Sequence, residues 1–210
     1  MRAYKWTIGN KPTHGSETHD QSGVWMEVVG PLVWCENGFH AARPACLPLG
    51  MGTELWEVEL DGEILERNGG EVIGRRIRFV RKLDWNRLKV AGFALGCAKR
   101  CAEYAAANIL LVAGDTAAII LVATYAATTA GTAAVKALND GNDCRQYGDE
   151  EGMGSSYRAC ESKAVHAATM AATSTAVAAE AESPGTGAAN ERRLQLEWIE
   201  TTIGEKLLDK

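Results

Sequence analysis

The chain has 210 residues, of which 46% are hydrophobic and 23% charged, a balance that excludes global disorder and allows two modest domains or one larger one. Its formal net charge of −5 is a poor basis for binding nucleic acid, where Lys and Arg must neutralise phosphates. The six cysteines form no C-x-x-C pair, which argues against a zinc ribbon or a thioredoxin-type site, and no metal site is expected because Cys97 and Cys101 have no His or Asp partner at a matching spacing.

In chain order, residues 4–8 (Tyr4-Lys5-Trp6-Thr7-Ile8) read as a first strand ending at Gly9-Asn10, and the polar stretch 10–23 as a surface loop. Residues 24–29 and 32–35 read as two short strands hinged at Gly30-Pro31, followed by a turn at Glu36-Asn37-Gly38 and a short helix near 41–47. Residues 54–60 alternate most clearly: Trp56, Val58 and Leu60 point one way, and Glu57, Glu59 and Asp61 the other. After turns at Asp61-Gly62 and Asn68-Gly69-Gly70, residues 72–80 alternate again, with Ile73, Ile77 and Phe79 on one face and Arg76 and Arg78 opposite.

Near residue 90 the composition changes. Residues 1–90 hold five of the six Trp, four of the five Pro and only four Ala, whereas residues 91–190 hold the other 29 Ala and no Trp. Charge divides as well: 12 Lys and Arg balance 12 Asp and Glu in residues 1–90, while 10 face 15 in residues 91–210. Ala has the highest helix propensity and no side-chain entropy to lose, but contributes little buried area, so helices built from it must pack at short range. Phe93, Cys97, Cys101, Tyr104 and Ala105 mark one face of a first helix. A second helix is predicted over 116–138, stopping at Asn139-Asp140-Gly141-Asn142, and a polar loop over 140–156. A third covers 158–182 with a stripe of small residues. Then come a linker over 183–189 and a last helix capped by Asn190, whose apolar face is Leu194, Trp198, Ile199, Ile203 and Leu207. Trp198 and Phe93 are the expected large plugs. The rival for 105–182 is a short-repeat β-solenoid. Residues 116–135 carry no charge, yet eight Ala and five Thr suit a buried helix of a soluble bundle better than a membrane span.

The fold class is therefore α+β: a small, mostly antiparallel β-rich domain over 1–88 and an Ala-rich helical domain over 89–210. No apolar leader opens the sequence, so reduced thiols and a cytoplasmic location are expected.

Few residues suggest chemistry. His40 stands where a strand meets a loop, a common address for ligand-facing side chains; Glu71 is a carboxylate at a strand start. Arg76 and Arg78, within a basic run from Arg75 to Lys82, could meet an anion, or could pair across the sheet with Glu57, Glu59 and Asp61. His14 and His19 read as solvated loop residues, His166 as solvent-facing, and Cys97 and Cys101 as small fillers of a helix contact.

Two blocks carry resemblances. The run Cys35-Glu36-Asn37-Gly38-Phe39-His40-Ala41, followed by Glu57-Val58-Glu59-Leu60-Asp61-Gly62, resembles an uncharacterised domain of phage and bacterial proteins marked by a C-x-x-G-F-H-A block, over about residues 3–85. The helical half is similar, mostly in composition, to the Ala-rich domain of immunity-type proteins, through Phe93-Ala94-Leu95-Gly96-Cys97 and Glu191-Arg192-Arg193-Leu194. More distantly, Gly38-Phe39-His40-Ala41-Ala42, then residues 55–60, then Glu71, are similar in order to ADP-ribosyltransferase-like folds. That similarity implies NAD as cofactor, His40 in the place of the aromatic that stacks on nicotinamide, Glu71 as catalytic carboxylate, and Tyr4 and Trp6 on the first strand beside the ligand. His stands where that pattern has Tyr, and Tyr4-Lys5-Trp6 replaces its first-strand signature. With no convergent catalytic set in view, the expected role is that of a phage-type accessory protein acting by binding or assembly. Its contact would be the acidic helical half, with a protein partner or a second copy.

Overall fold

The computed structural model describes residues 1–8, 11–12, 23–108, 115–147 and 153–207, so His14 and His19 lie outside the described residues. The chain is α+β and divides into two compact units, Met1–Asn86 with Glu200–Lys210, and Arg87–Ile199. The junction after Asn86 falls close to the change in composition. Residues 200–207 group with the sheet unit.

Among the described residues six strands build the first unit: β1 (Arg2–Ile8), β2 (Lys11–Pro12), β3 (Trp25–Glu27), β4 (Phe39–Ala42), β5 (Glu54–Arg67) and β6 (Glu71–Lys82). Every pairing is antiparallel. Because β1 pairs with both β4 and β5, and β6 also pairs with both, four strands close into a ring. Closure removes free edges, and it buries β1 on both faces from Ala3 to Thr7. Inside the ring pack Ala3, Phe39, Val58, Leu60, Val72, Ile77 and Phe79, with Trp56, Ile64 and Ala41 against them.

Register shifts between Glu57 and Val58 and between Asp61 and Ile64 bend the long β5–β6 hairpin. They correct the simple alternation expected along β6. Val72 joins Ile77 and Phe79 in the core, while Ile73 is buried separately, beside Leu32 at Gly38. Residues 32–35 form no strand; Val33 bridges only to Asn37 in a tight turn. Trp25–Glu27 is shorter than the strand expected over 24–29, and the helical turn near 41–47 is a 3-10 helix, Pro44–Leu49.

The second unit is helical, which removes the solenoid reading for its described residues: α1 (Arg87–Asn108), α2 (Asp115–Tyr147), α3 (Met153–Glu182) and α4 (Gly187–Ile203), the last running into the first unit. In α2 the buried hydrophobic residues among those described are Ile120, Ala123, Ala127, Ala130, Ala134 and Ala137, a three-and-four spacing that turns one narrow seam inward. Two boundaries differ from expectation. Helix α2 runs through Asn139-Asp140-Gly141 to Tyr147, because Ala137 packs on Ala164 and Lys136 pairs with Asp140 at 2.9 Å, which outweighs weak local propensity. Helix α4 starts at Gly187, and its cap is not Asn190. The Glu180 carboxylate accepts the N–H of Gly185 at 2.5 Å and of Ala188 at 2.9 Å, and those bonds hold its pKa below the ordinary carboxylate value.

Candidate functional site

The basic run of β6 faces the acidic face of β5 in register: Asp61 opposite Arg76, Glu59 opposite Arg78, Glu57 opposite Arg81. Arg76 bonds Asp61 at 2.8 Å, Arg78 bonds Glu59, and both guanidinium groups lie 4.9 Å from the Trp25 ring. Arg76 and Arg78 are thus neutralised within the sheet.

His40 and Glu71 lie on neighbouring strands, His40 opposite Ile73 and Ala42 opposite Glu71, and a chain of contacts links them. The His40 ring meets Trp34 edge-on at 5.6 Å, the Arg67 guanidinium covers Trp34 at 4.1 Å, and Arg67 donates to Glu71 at 2.8 Å. Glu71 Oε2 also accepts from Asn68 at 3.2 Å, and His40 Nε2 accepts the backbone N–H of Cys35 at 3.2 Å. Glu71 raises the pKa of Arg67, chiefly by its hydrogen bond.

Tyr4 and Trp6 share one face of β1 but have different roles. Trp6 is core: its indole donates to the Leu47 carbonyl at 3.1 Å and its ring meets Trp85 at 5.1 Å. Tyr4 stands in a row across three strands, opposite Glu57, which is opposite Arg81. This row lines a cavity of about 260 Å³, together with Arg2, Val80, Glu205 and Lys206. Alternation alone did not reveal it, since Glu205 lies 124 residues from Arg81.

Lys5 was also missed as a buried charge. It shares the face of β1 that carries Ala3 into the ring and stands opposite Trp56, and it is 7% exposed. Its ammonium donates to the His40 carbonyl at 2.6 Å. Burial lowers its pKa from 10.5 to about 8. Between pH 8 and 10.5 the folded chain sheds a proton that the unfolded chain keeps, so stability rises with pH across that window and the full burial cost is felt below it. We expect Lys5→Met to be roughly 1–3 kcal/mol more stable than the parent at pH 7, with the gap closing towards pH 10.5. Denaturant unfolding at several pH values checks this; a gap that ignores pH would refute it.

The helical unit hides a second polar cluster. Glu191 is fully buried and accepts from Arg100 Nε at 2.9 Å, Tyr104 Oη at 2.9 Å and Gln195 Nε2 at 3.0 Å. Gln195 also donates to the Ala172 carbonyl at 3.0 Å. Cys97 and Cys101 are the small buried fillers expected, and burial pushes the Cys97 thiol up to about 12. His166 is exposed, as expected. Among the described residues no group of His, Cys, Asp and Glu could hold a metal ion.

Helix α2 presents a different surface. Tyr125 stands four residues after Leu121 and three after Val122, so both neighbour it on the helix surface, and the three are 46%, 69% and 76% exposed in chain order. Its segment Thr116–Ala137 is long and apolar enough to cross a membrane, by length and composition. The chain matches no family model, no curated protein and no solved structure.

Proposed function

We propose that the protein acts by binding and assembly, with the outer face of α2 as its contact and a second copy of the chain as the first partner to test. The observation that carries this is the exposed stripe of Leu121, Val122 and Tyr125 on an uncharged helix face. Large exposed apolar side chains that cluster mark interaction surfaces. The flanking Ala118, Thr129 and Ala133 are also exposed and small, which lets a second helix approach closely. By contrast, the charged groups named at the outset, Arg76, Arg78 and Glu71, are engaged within the protein, which supports binding over catalysis as the role.

Sedimentation at micromolar concentrations tests the reading. The parent chain should associate, and Val122→Glu with Tyr125→Lys should shift it to monomer by at least tenfold in dissociation constant, with the helical circular dichroism unchanged. A strict monomer that also captures no protein would overturn the proposal. So would flotation with neutral lipid vesicles that the same variant abolishes, since that would make a bilayer the occupant of the face.

A further inference from the structure

We infer that the cavity on the sheet unit is a carboxylate-binding site, held shut in this state by the chain's own Glu205. The inference is independent of the α2 contact. Arg81 supplies the recognition group. Its two terminal nitrogens hold both oxygens of Glu205 at 3.0 and 2.8 Å, the forked geometry by which a guanidinium takes a planar carboxylate. Its Nε donates to Glu57 at 2.7 Å.

Glu57 is the built part of the site. It is 6% exposed, and its second oxygen lies 3.3 Å from Arg2, so one buried carboxylate aims two guanidinium groups at the same space. The register shift next to Glu57 sets Val80 as the extra residue of β6, and Val80 lines the cavity. Bulges re-aim side chains in this way beside functional sites. Tyr4 completes the lining from β1 and Lys206 from the far side.

The occupant is tethered, not embedded. Helix α4 ends at Ile203, and Gly204 turns the chain with φ of 78°, its N–H bonding the Glu200 carbonyl at 3.0 Å. The Glu200 side chain then holds Lys206 at 2.6 Å and the N–H of Leu207 at 2.9 Å, which delivers Glu205 to Arg81. The side chains of Arg81 and Glu205 are 51% and 34% exposed, and an ion pair so wetted contributes little in water. An external carboxylate can therefore compete, provided it exceeds the effective concentration of the tether, of millimolar order. With Glu205 displaced, Arg81 keeps its Nε bond to Glu57 while its two terminal nitrogens are released from Glu205, a fork that suits the carboxylate of a small organic acid. A cavity of about 260 Å³ lies just below the range of drug-sized pockets, which fits such a ligand.

Succinate and inorganic phosphate, titrated separately into the full-length protein by amide NMR, test the assignment. Glu205→Gln should bind succinate at least tenfold more tightly than the parent. Arg81→Lys placed on that background keeps the charge but loses the fork, and should return affinity to the parent level or below. Succinate affinity unchanged by Glu205→Gln would overturn the proposal. So would a doubly substituted chain that binds as well as Glu205→Gln alone, or phosphate binding that exceeds succinate, since the site would then not read a planar carboxylate.

Discussion

Arg100→Met is expected to destabilise the helical unit by about 3–5 kcal/mol, the cost of leaving a buried charge without its partner. Glu191 has no exposed surface, and Arg100 reaches it through two nitrogens, at 2.9 and 2.8 Å. Tyr104 and Gln195 also donate to the carboxylate, but neither carries a charge to oppose it. Removing Arg100 therefore strands an anion among Ala and Cys side chains. Replacing both members is a different experiment. In the Arg100→Met, Glu191→Met double variant no charge remains to be desolvated, and most of the lost stability should return. Denaturant unfolding followed by helical circular dichroism measures all three chains. Strictly additive losses would mean that the two groups do not act as a pair, and the account of the cluster would fall.

That cluster also shows where sequence reading stops. The helix face marked by Leu194, Trp198, Ile199, Ile203 and Leu207 was chosen for its apolar residues. Ile199, Ile203 and Leu207 are buried, and Trp198 meets Phe93 edge-on at 5.5 Å as expected. Leu194, however, is 36% exposed, and its place inside is taken by Glu191 and Gln195. Polar residues look like a solvent face unless their partners are known, and Arg100 stands 91 positions away from Glu191. Sheet and helix were legible because each repeats a local period: the β5 acids and β6 bases alternate, and their register brings Asp61 to Arg76 and Glu59 to Arg78. The turn at Val33–Asn37, the closure that buries Lys5 and the strap that brings Glu205 to Arg81 depend on long-range geometry, which no local pattern encodes. Asn139-Asp140-Gly141 is the reverse case, a strong local stop signal overruled by tertiary packing of α2.

Gly187→Ala should be the most damaging single-methyl change in the helical unit, costing about 3 kcal/mol, at the upper end for overpacking. A Cβ at this position would lie 1.9 Å from the Ala179 carbonyl oxygen and 2.3 Å from its carbon. Both are backbone atoms, so no side chain can rotate away. The corner between α3 and α4 would have to open. Opening it would pull Ala188 and Gly185 off the Glu180 carboxylate that caps α4, losing a further fraction of the order of 1 kcal/mol that a cap contributes. Gly185, two residues earlier, separates space from backbone conformation. It has φ of 87°, and nothing lies within 4 Å of where a Cβ would stand, so Gly185→Ala meets only the left-handed penalty of about 1–2 kcal/mol. Unfolding both variants side by side should rank Gly187→Ala well below Gly185→Ala. Equal losses would show that the corner yields freely, and the tight approach of α4 to the end of α3 would then not be a constraint that the sequence must respect.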